Sequence, residues 1–186
     1  GYLAGTITGF SLAANELDVA TQMIRLDPFD SAACGRDVTA LMEGFGQRGS
    51  RPPSEADTFA FFLIDGLAMQ EELVVSCVYQ HLQGIELIGG SAGDDTRFGA
   101  THLYYDGQFH QNIALVTLVR SKLPFKVFRT QHFVQSDRRM VVTRADPASR
   151  AVYQINGKPA ARELARLVEL GSNELTPMIF ATHPGV

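Results

Sequence analysis

The residues best placed to do chemistry in this chain are Gly89, Gly90, Ser91, Ala92, Gly93, Asp94 and Asp95, with Arg97 two positions further on. Three glycines interleaved with Ser and Ala let backbone N–H groups approach a ligand without obstruction from side chains. Asp94 and Asp95 suit a cation or an ammonium group, and the Arg97 guanidinium suits a carboxylate. The same run is no P-loop: it lacks the Gly-Lys-[Ser/Thr] ending, and its two aspartates would repel phosphate. Nor do its glycines fall in the G-x-G-x-x-G register of a dinucleotide fold. A turn that merely packs strand on helix would look the same, as would aspartates that only cap a turn.

Residues 89–93 do meet the G-x-S-x-G pattern of a serine hydrolase, with Ser91 as nucleophile. His132 or His183 with Asp106, Asp137 or Asp146 would supply the remaining groups. After Gly93, however, the chain runs into Asp-Asp-Thr rather than an apolar helix, so the pattern argues poorly for catalysis. Tyr104 and Tyr105 come next. On a strand they alternate faces, so only one of them can look into a pocket, and Tyr104 is taken as that residue.

The elements that must position these residues are a mixed α/β set. Residues 85–88 form a short apolar strand ahead of the glycines. Residues 58–64 form another, continuously apolar, the pattern of a strand covered on both faces. Between them, 69–82 is helical, with Leu73, Val74, Cys77 and Val78 on one stripe, and Gly84 ends it. Strand, helix, strand in that order predicts a parallel crossover. Earlier, residues 5–13 and 17–26 read as strands lying side by side. Asp30 or Ser31 caps a helix running to Phe45, and 46–53 reads as a mobile loop. Strands at 101–105 and 109–119 flank the Asp106-Gly107 hairpin turn, and 125–133, 140–143 and 151–155 extend the series. Asn156-Gly157 is a second turn. Pro159 opens a helix to about Leu170, with Arg162, Glu163 and Arg166 toward water and Leu164, Leu167 and Val168 packed inward. The fold class is therefore α/β with mixed, largely antiparallel sheets flanked by helices. The likeness of 5–13 to 107–119, each a glycine followed by a long apolar strand, would fit an internal duplication.

Composition sets bounds on function. The 186 residues suit one domain of ordinary size, and 45% hydrophobic content is enough for a core. A net charge of −4 without a basic run argues against a nucleic-acid partner. No apolar run is long enough to span a bilayer, so no membrane partner is expected. Cys34 and Cys77 lack CxxC spacing and read as free, buried thiols of a cytoplasmic protein. Of the histidines, His81 stands where it would cap the last carbonyls of its helix. The chain begins at Gly1 without Met and stops at Val186, so it reads as a piece of a longer protein.

Three blocks together resemble the FIST family of bacterial sensory domains: 85–107 (IELIGGSAGDDTRF…THLYYDG), 131–168 (QHFVQSDRRMVV…ARLV) and FATHP at 180–184. The resemblance implies a non-enzymatic sensory domain over residues 1–170 whose start is truncated, and the beginning of a C-terminal half over 171–186. It also implies a signalling output protein as partner, a histidine kinase or a cyclase. The segment 141–161 is similar to a subgroup that binds haem and senses nitric oxide. Haem with nitric oxide is thus one implied ligand, and an amino acid without haem is the other. If haem binds, His132 and His183 are the axial candidates, and the thiol of Cys77 is more simply a core residue.

Overall fold

The computed structural model describes residues 11, 14–49, 51–94, 99–129, 137, 139–147 and 149–171. The chain divides into two compact units, residues 1–128 and 129–186. The class is α/β with antiparallel sheets flanked by helices, as the sequence implies.

In the first unit a short 3-10 turn, Ala14–Glu16, leads into β1 (Leu17–Arg25). Then come α1 (Ser31–Arg48), β2 (Thr58–Asp65), α2 (Glu71–His81), β3 (Leu87–Ala92), β4 (Leu103–Tyr105), β5 (Gln108–His110) and β6 (Ile113–Ser121). Four strands form one sheet in the order β1-β6-β2-β3. Only β2 and β3 run parallel, and α2 is their crossover, so the predicted parallel unit is present. β6 is the central strand and is buried almost continuously. In β2, by contrast, burial alternates: Phe59, Phe61 and Leu63 are only half-buried, so one face of that strand is incompletely covered.

The covered face carries the main core. Ile24, Phe62, Ile64, Val116 and Leu118 from the strands meet Val38, Phe45, Val74, Val78 and Leu82 from the helices and their ends. Burying a side chain of this size contributes about 1.5–3 kcal/mol. The helices start and stop for local reasons. Asp30 Oδ1 accepts from the N–H groups of Ala32 (2.8 Å) and Ala33 (3.1 Å), the N-cap expected there. α1 continues past Phe45 to Arg48, so the loop begins three residues later than the glycine at 46 suggests; Gly46 and its neighbours sit on the last helical turn. His81 Nδ1–H donates to the Cys77 carbonyl oxygen at 2.8 Å, capping α2.

On the other face, Leu103, Ile113 and Leu115 gather Met23, Leu63, Ala92 and Tyr105 into a smaller cluster. β4 and β5 form a hairpin turned by Asp106 (φ 49°) and Gly107 (φ 79°), the positive pair that a tight two-residue turn demands. The expected long strand 109–119 is in fact two strands, broken at Asn112 (φ 52°).

The second unit holds β7 (Val142–Asp146), β8 (Ala151–Ile155), β9 (Lys158–Pro159) and α3 (Ala160–Leu167). β7, β8 and β9 form an antiparallel meander through the Asn156-Gly157 turn (φ 53° and 73°). Pro159 closes β9 rather than opening the helix, which ends at Leu167 and not near Leu170, and a further expectation fails in this unit. Glu163 is only 2% exposed rather than turned to water. It accepts from Arg166 (2.7 and 3.0 Å) and Asn156 (3.2 Å), with Lys158 Nζ at 3.5 Å. The Arg166 hydrogen bonds first, then Asn156, hold its carboxyl down to about 2. A glutamate so supplied with donors is better satisfied folded back on the turn than in water. The expected strand at 5–13, and with it any duplicated unit, lies outside the described residues. So do residues 130–133 of the expected strand at 125–133, whose first five residues, 125–129, take no regular structure.

Candidate functional site

The first four residues of the glycine-rich run are strand and not loop, while Gly93 and Asp94 follow without regular structure. Gly89, Gly90, Ser91 and Ala92 belong to β3 and pair in register with Phe62, Leu63, Ile64 and Asp65 of β2. β3 is the edge of the sheet, and Gly89, Gly90 and Ser91 are exposed. The glycines differ in what they do. A Cβ on Gly89 would overlap the carbonyl oxygen of Phe62, so that position must be bare for β2 and β3 to approach. A Cβ on Gly90 or Gly93 would meet nothing within 4 Å, so those positions leave backbone open to a ligand.

Beyond the strand, Asp94 Oδ2 accepts from the N–H groups of Gly99 and of Ala100 (3.0 Å). That carboxylate thus holds two backbone N–H groups. Asp95 and Arg97 lie outside the described residues, as do His132 and His183. Tyr104 is 61% exposed and stacks edge-on against the exposed Phe109 at 5.1 Å. Its neighbour Tyr105 is the tyrosine turned to the sheet, packing in the smaller cluster. The choice of Tyr104 as pocket-facing is therefore reversed, because the strand register puts the odd-numbered residue inward.

Sequence reasoning missed the residue that organises this end of the sheet. Asp65 closes β2 and is 3% exposed. Its Oδ1 accepts from Leu67 N–H (3.0 Å) and the Thr101 hydroxyl, and its Oδ2 from Asn112 N–H (2.7 Å). Burial pushes its carboxyl up, but the hydrogen bonds from Thr101, Asn112 and Leu67, with the His102 charge, outweigh this and hold it below the ordinary range. Thr101 precedes β4 and Asn112 follows β5. One carboxylate thus clamps both feet of the hairpin beside the C-terminal ends of the parallel pair, where open α/β sheets place ligands. The signal in the sequence was an aspartate directly after an apolar strand, which also reads as the start of a turn.

The family model for the FIST N domain matches residues 1–158. The chain belongs to the FIST family. No curated protein and no solved structure matches it. FIST domains are non-catalytic sensor modules of signal transduction. The geometry of Ser91 agrees: it lies within an extended strand opposite Ile64, whereas a nucleophile elbow needs a strand-to-helix turn. Among the described residues of this FIST domain, no three His, Cys, Asp or Glu side chains gather as a metal site, and no helix is long and apolar enough to cross a membrane.

Proposed function

We propose that this FIST domain is the ligand-sensing input of a bacterial signalling system and holds a small polar metabolite, an amino acid in the first instance, against the open backbone of β3. The observation that carries the reading is the exposed, side-chain-free stretch at Gly89–Gly90 beside the C-terminal ends of the only parallel strand pair among the described strands. A strand edge offers both N–H donors and carbonyl acceptors, the complement of a carboxylate next to an ammonium group. Binding there would bear on the hairpin clamped by Asp65 and shift the population of two arrangements that a separate histidine kinase or cyclase distinguishes. Cys34 and Cys77 are both buried free thiols, which supports a reducing, cytoplasmic setting.

Haem with nitric oxide is the other ligand that the FIST resemblance implies. Its two axial candidates, His132 and His183, lie outside the described residues. Among the described histidines, His81 fronts a cleft of about 790 Å³ with Ser31, Arg36, Thr39 and Glu43 in its lining, and its Nδ1–H donates to the Cys77 carbonyl, which leaves Nε2 as the ring nitrogen open to a partner. His110 Nε2 lies 3.2 Å from the Tyr105 carbonyl oxygen, and His102 packs against Phe109.

The test is a thermal-shift and calorimetric screen of the amino acids on wild type and Gly90→Val, alongside a visible spectrum taken before and after haem addition. The side chain at 90 enters open space, so the variant folds, and the proposal expects it to lose a response that wild type shows. No response in wild type, or an equal one in the variant, overturns the site. A Soret band that moves with nitric oxide replaces the amino acid with haem.

A further inference from the structure

At the opposite end of the sheet from Asp65, Arg120 is 6% exposed on the central strand, facing the helices. Its register neighbours are Asp18 on β1 and Thr58 on β2. The guanidinium lies over the Phe45 ring at 4.8 Å, and its Nη2 donates to the Arg51 carbonyl oxygen at 3.0 Å. Nε sits 3.5 Å from Asp57 Oδ2 without the alignment of a hydrogen bond, and Nη1 has no acceptor among the described residues. A buried guanidinium N–H left without a partner is costly and in native structures points to something that fills the gap.

What adjoins Nη1 is a cradle. Gly49 follows α1, and a Cβ there would overlap Nη1, so the glycine is what admits the guanidinium. Around them is a cavity of about 110 Å³ lined by Asp18, Val19, Phe45, Arg48, Gly49 and Arg120. Arg48 reaches the same Phe45 ring at 5.9 Å and forms no ion pair among the described residues. Asp57 is already taken by Arg51 and Arg120. The neighbourhood thus sets three guanidiniums against two carboxylates, Asp18 and Asp57. Asp18 and the carbonyl end of α1 oppose an anion, yet neither supplies the acceptor that Nη1 lacks.

We infer that this cavity is a site for a small oxyanion, the carboxylate or phosphate head of a ligand, held between Arg120 and Arg48. Its volume admits a headgroup and little more, and planar guanidiniums match oxyanion geometry. It is separate from the edge of β3.

The experiment is thermal unfolding of the whole chain in sodium phosphate, and in sodium acetate, against sodium chloride at equal ionic strength and pH. A saturable rise in Tm of several degrees over chloride is expected with at least one oxyanion. Phosphate alone or acetate alone assigns the headgroup. Gly49 has φ −85°, which alanine adopts freely, so Gly49→Ala displaces the Arg120 guanidinium from the cradle without backbone strain. Gly49→Ala and Arg48→Gln should each weaken the apparent affinity by roughly tenfold or more, about 1.4 kcal/mol or above, while circular dichroism stays that of wild type. No rise over chloride means a cavity that holds only water, and an undiminished rise in both variants means binding elsewhere. Either result overturns the proposal.

Discussion

Asp57 and Asp65 stand at the two ends of β2, one before its first residue and one as its last, and both are buried. In both, burial pushes the carboxyl up and hydrogen bonds more than reverse this, so each is held below the ordinary range. Neutral donors serve both, and what differs is the ion pairing. Asp57 accepts from the Thr58 hydroxyl (2.8 Å) and from the hydroxyl and N–H of Ser54 (3.0 and 3.3 Å), and is ion-paired to Arg51 and Arg120. Asp65 takes only neutral donors, with no lysine or arginine paired to it among the described residues. Both ends of the strand are fastened by dipoles, and the Asp57 end adds charge neutralisation. Fastening by ion pairs is strong and brittle, because removing either partner strands a charge. Fastening by dipoles alone can be taken apart one donor at a time, which suits the end of the sheet where a ligand would have to move something.

The sharpest way to break the comparison is Asp57→Ala. Arg120 would keep its burial and lose its counter-charge, and the expected loss is about 3–5 kcal/mol in urea unfolding. Pairing it with Arg120→Met should recover much of that, since an apolar pair of similar shape has no stranded charge. If Asp57→Ala proves milder than the corresponding change at 65, the distinction between the two ends is wrong.

Next in size is Asp65→Asn, with an expected loss of about 1–3 kcal/mol. Asparagine keeps one acceptor oxygen, but its amide turns two donors toward a site already built of donors, so one of Leu67, Thr101 and Asn112 loses its partner. The effect should also appear locally, as faster hydrogen exchange across the 101–112 hairpin with the α1 and α2 amides unchanged.

Acid separates the ends further. Both carboxyls titrate lower folded than unfolded, so each adds stability that is complete above the ordinary carboxylate range and fades as pH falls through it toward the depressed folded values. Wild type should therefore lose stability steadily below about pH 4. Asp65→Asn should flatten part of that slope, and Asp57→Ala another part. A slope identical in all three proteins would mean that neither group is linked to folding. In the second unit, Glu163, held to about 2 by Arg166 and Asn156, should keep its contribution until pH falls toward that value.

How far the sequence disclosed this depends on the type of signal. Asp30 before an apolar-periodic run, Asp106-Gly107 and Asn156-Gly157 are local chemistry, and each turned out as read. β2 and α2 were legible because periodicity and length sufficed, whereas the strand expected at 85–88 runs over Leu87–Ala92. The glycine run misled, because glycines signal turns unless a neighbouring strand needs their bareness, and that need arises only from the pairing of Gly89 with Phe62. Asp65 was hidden for the same reason: its partners, Thr101 and Asn112, lie 36 and 47 positions away. Glu163 was misjudged because helical periodicity carries no information about the Asn156 side chain waiting to donate to it.

The finest test takes a single donor from the dipole-fastened end. Thr101→Val keeps the shape of the side chain and removes the hydroxyl, leaving Oδ1 of Asp65 with Leu67 N–H and Oδ2 with Asn112 N–H. The expected cost is about 1 kcal/mol, smaller than that of Asp65→Asn, since the carboxylate stays hydrogen-bonded on both oxygens. Thr101→Ser restores the donor and should return most of that loss, less a methyl group's burial. If valine costs as much as Asp65→Asn, the three donors act as one cooperative unit, and the hairpin cannot be loosened by degrees as a ligand-responsive clamp requires. If valine costs about what one hydrogen bond is worth, the clamp can be released stepwise, and the Asp65 end of β2 is the one able to transmit binding at β3.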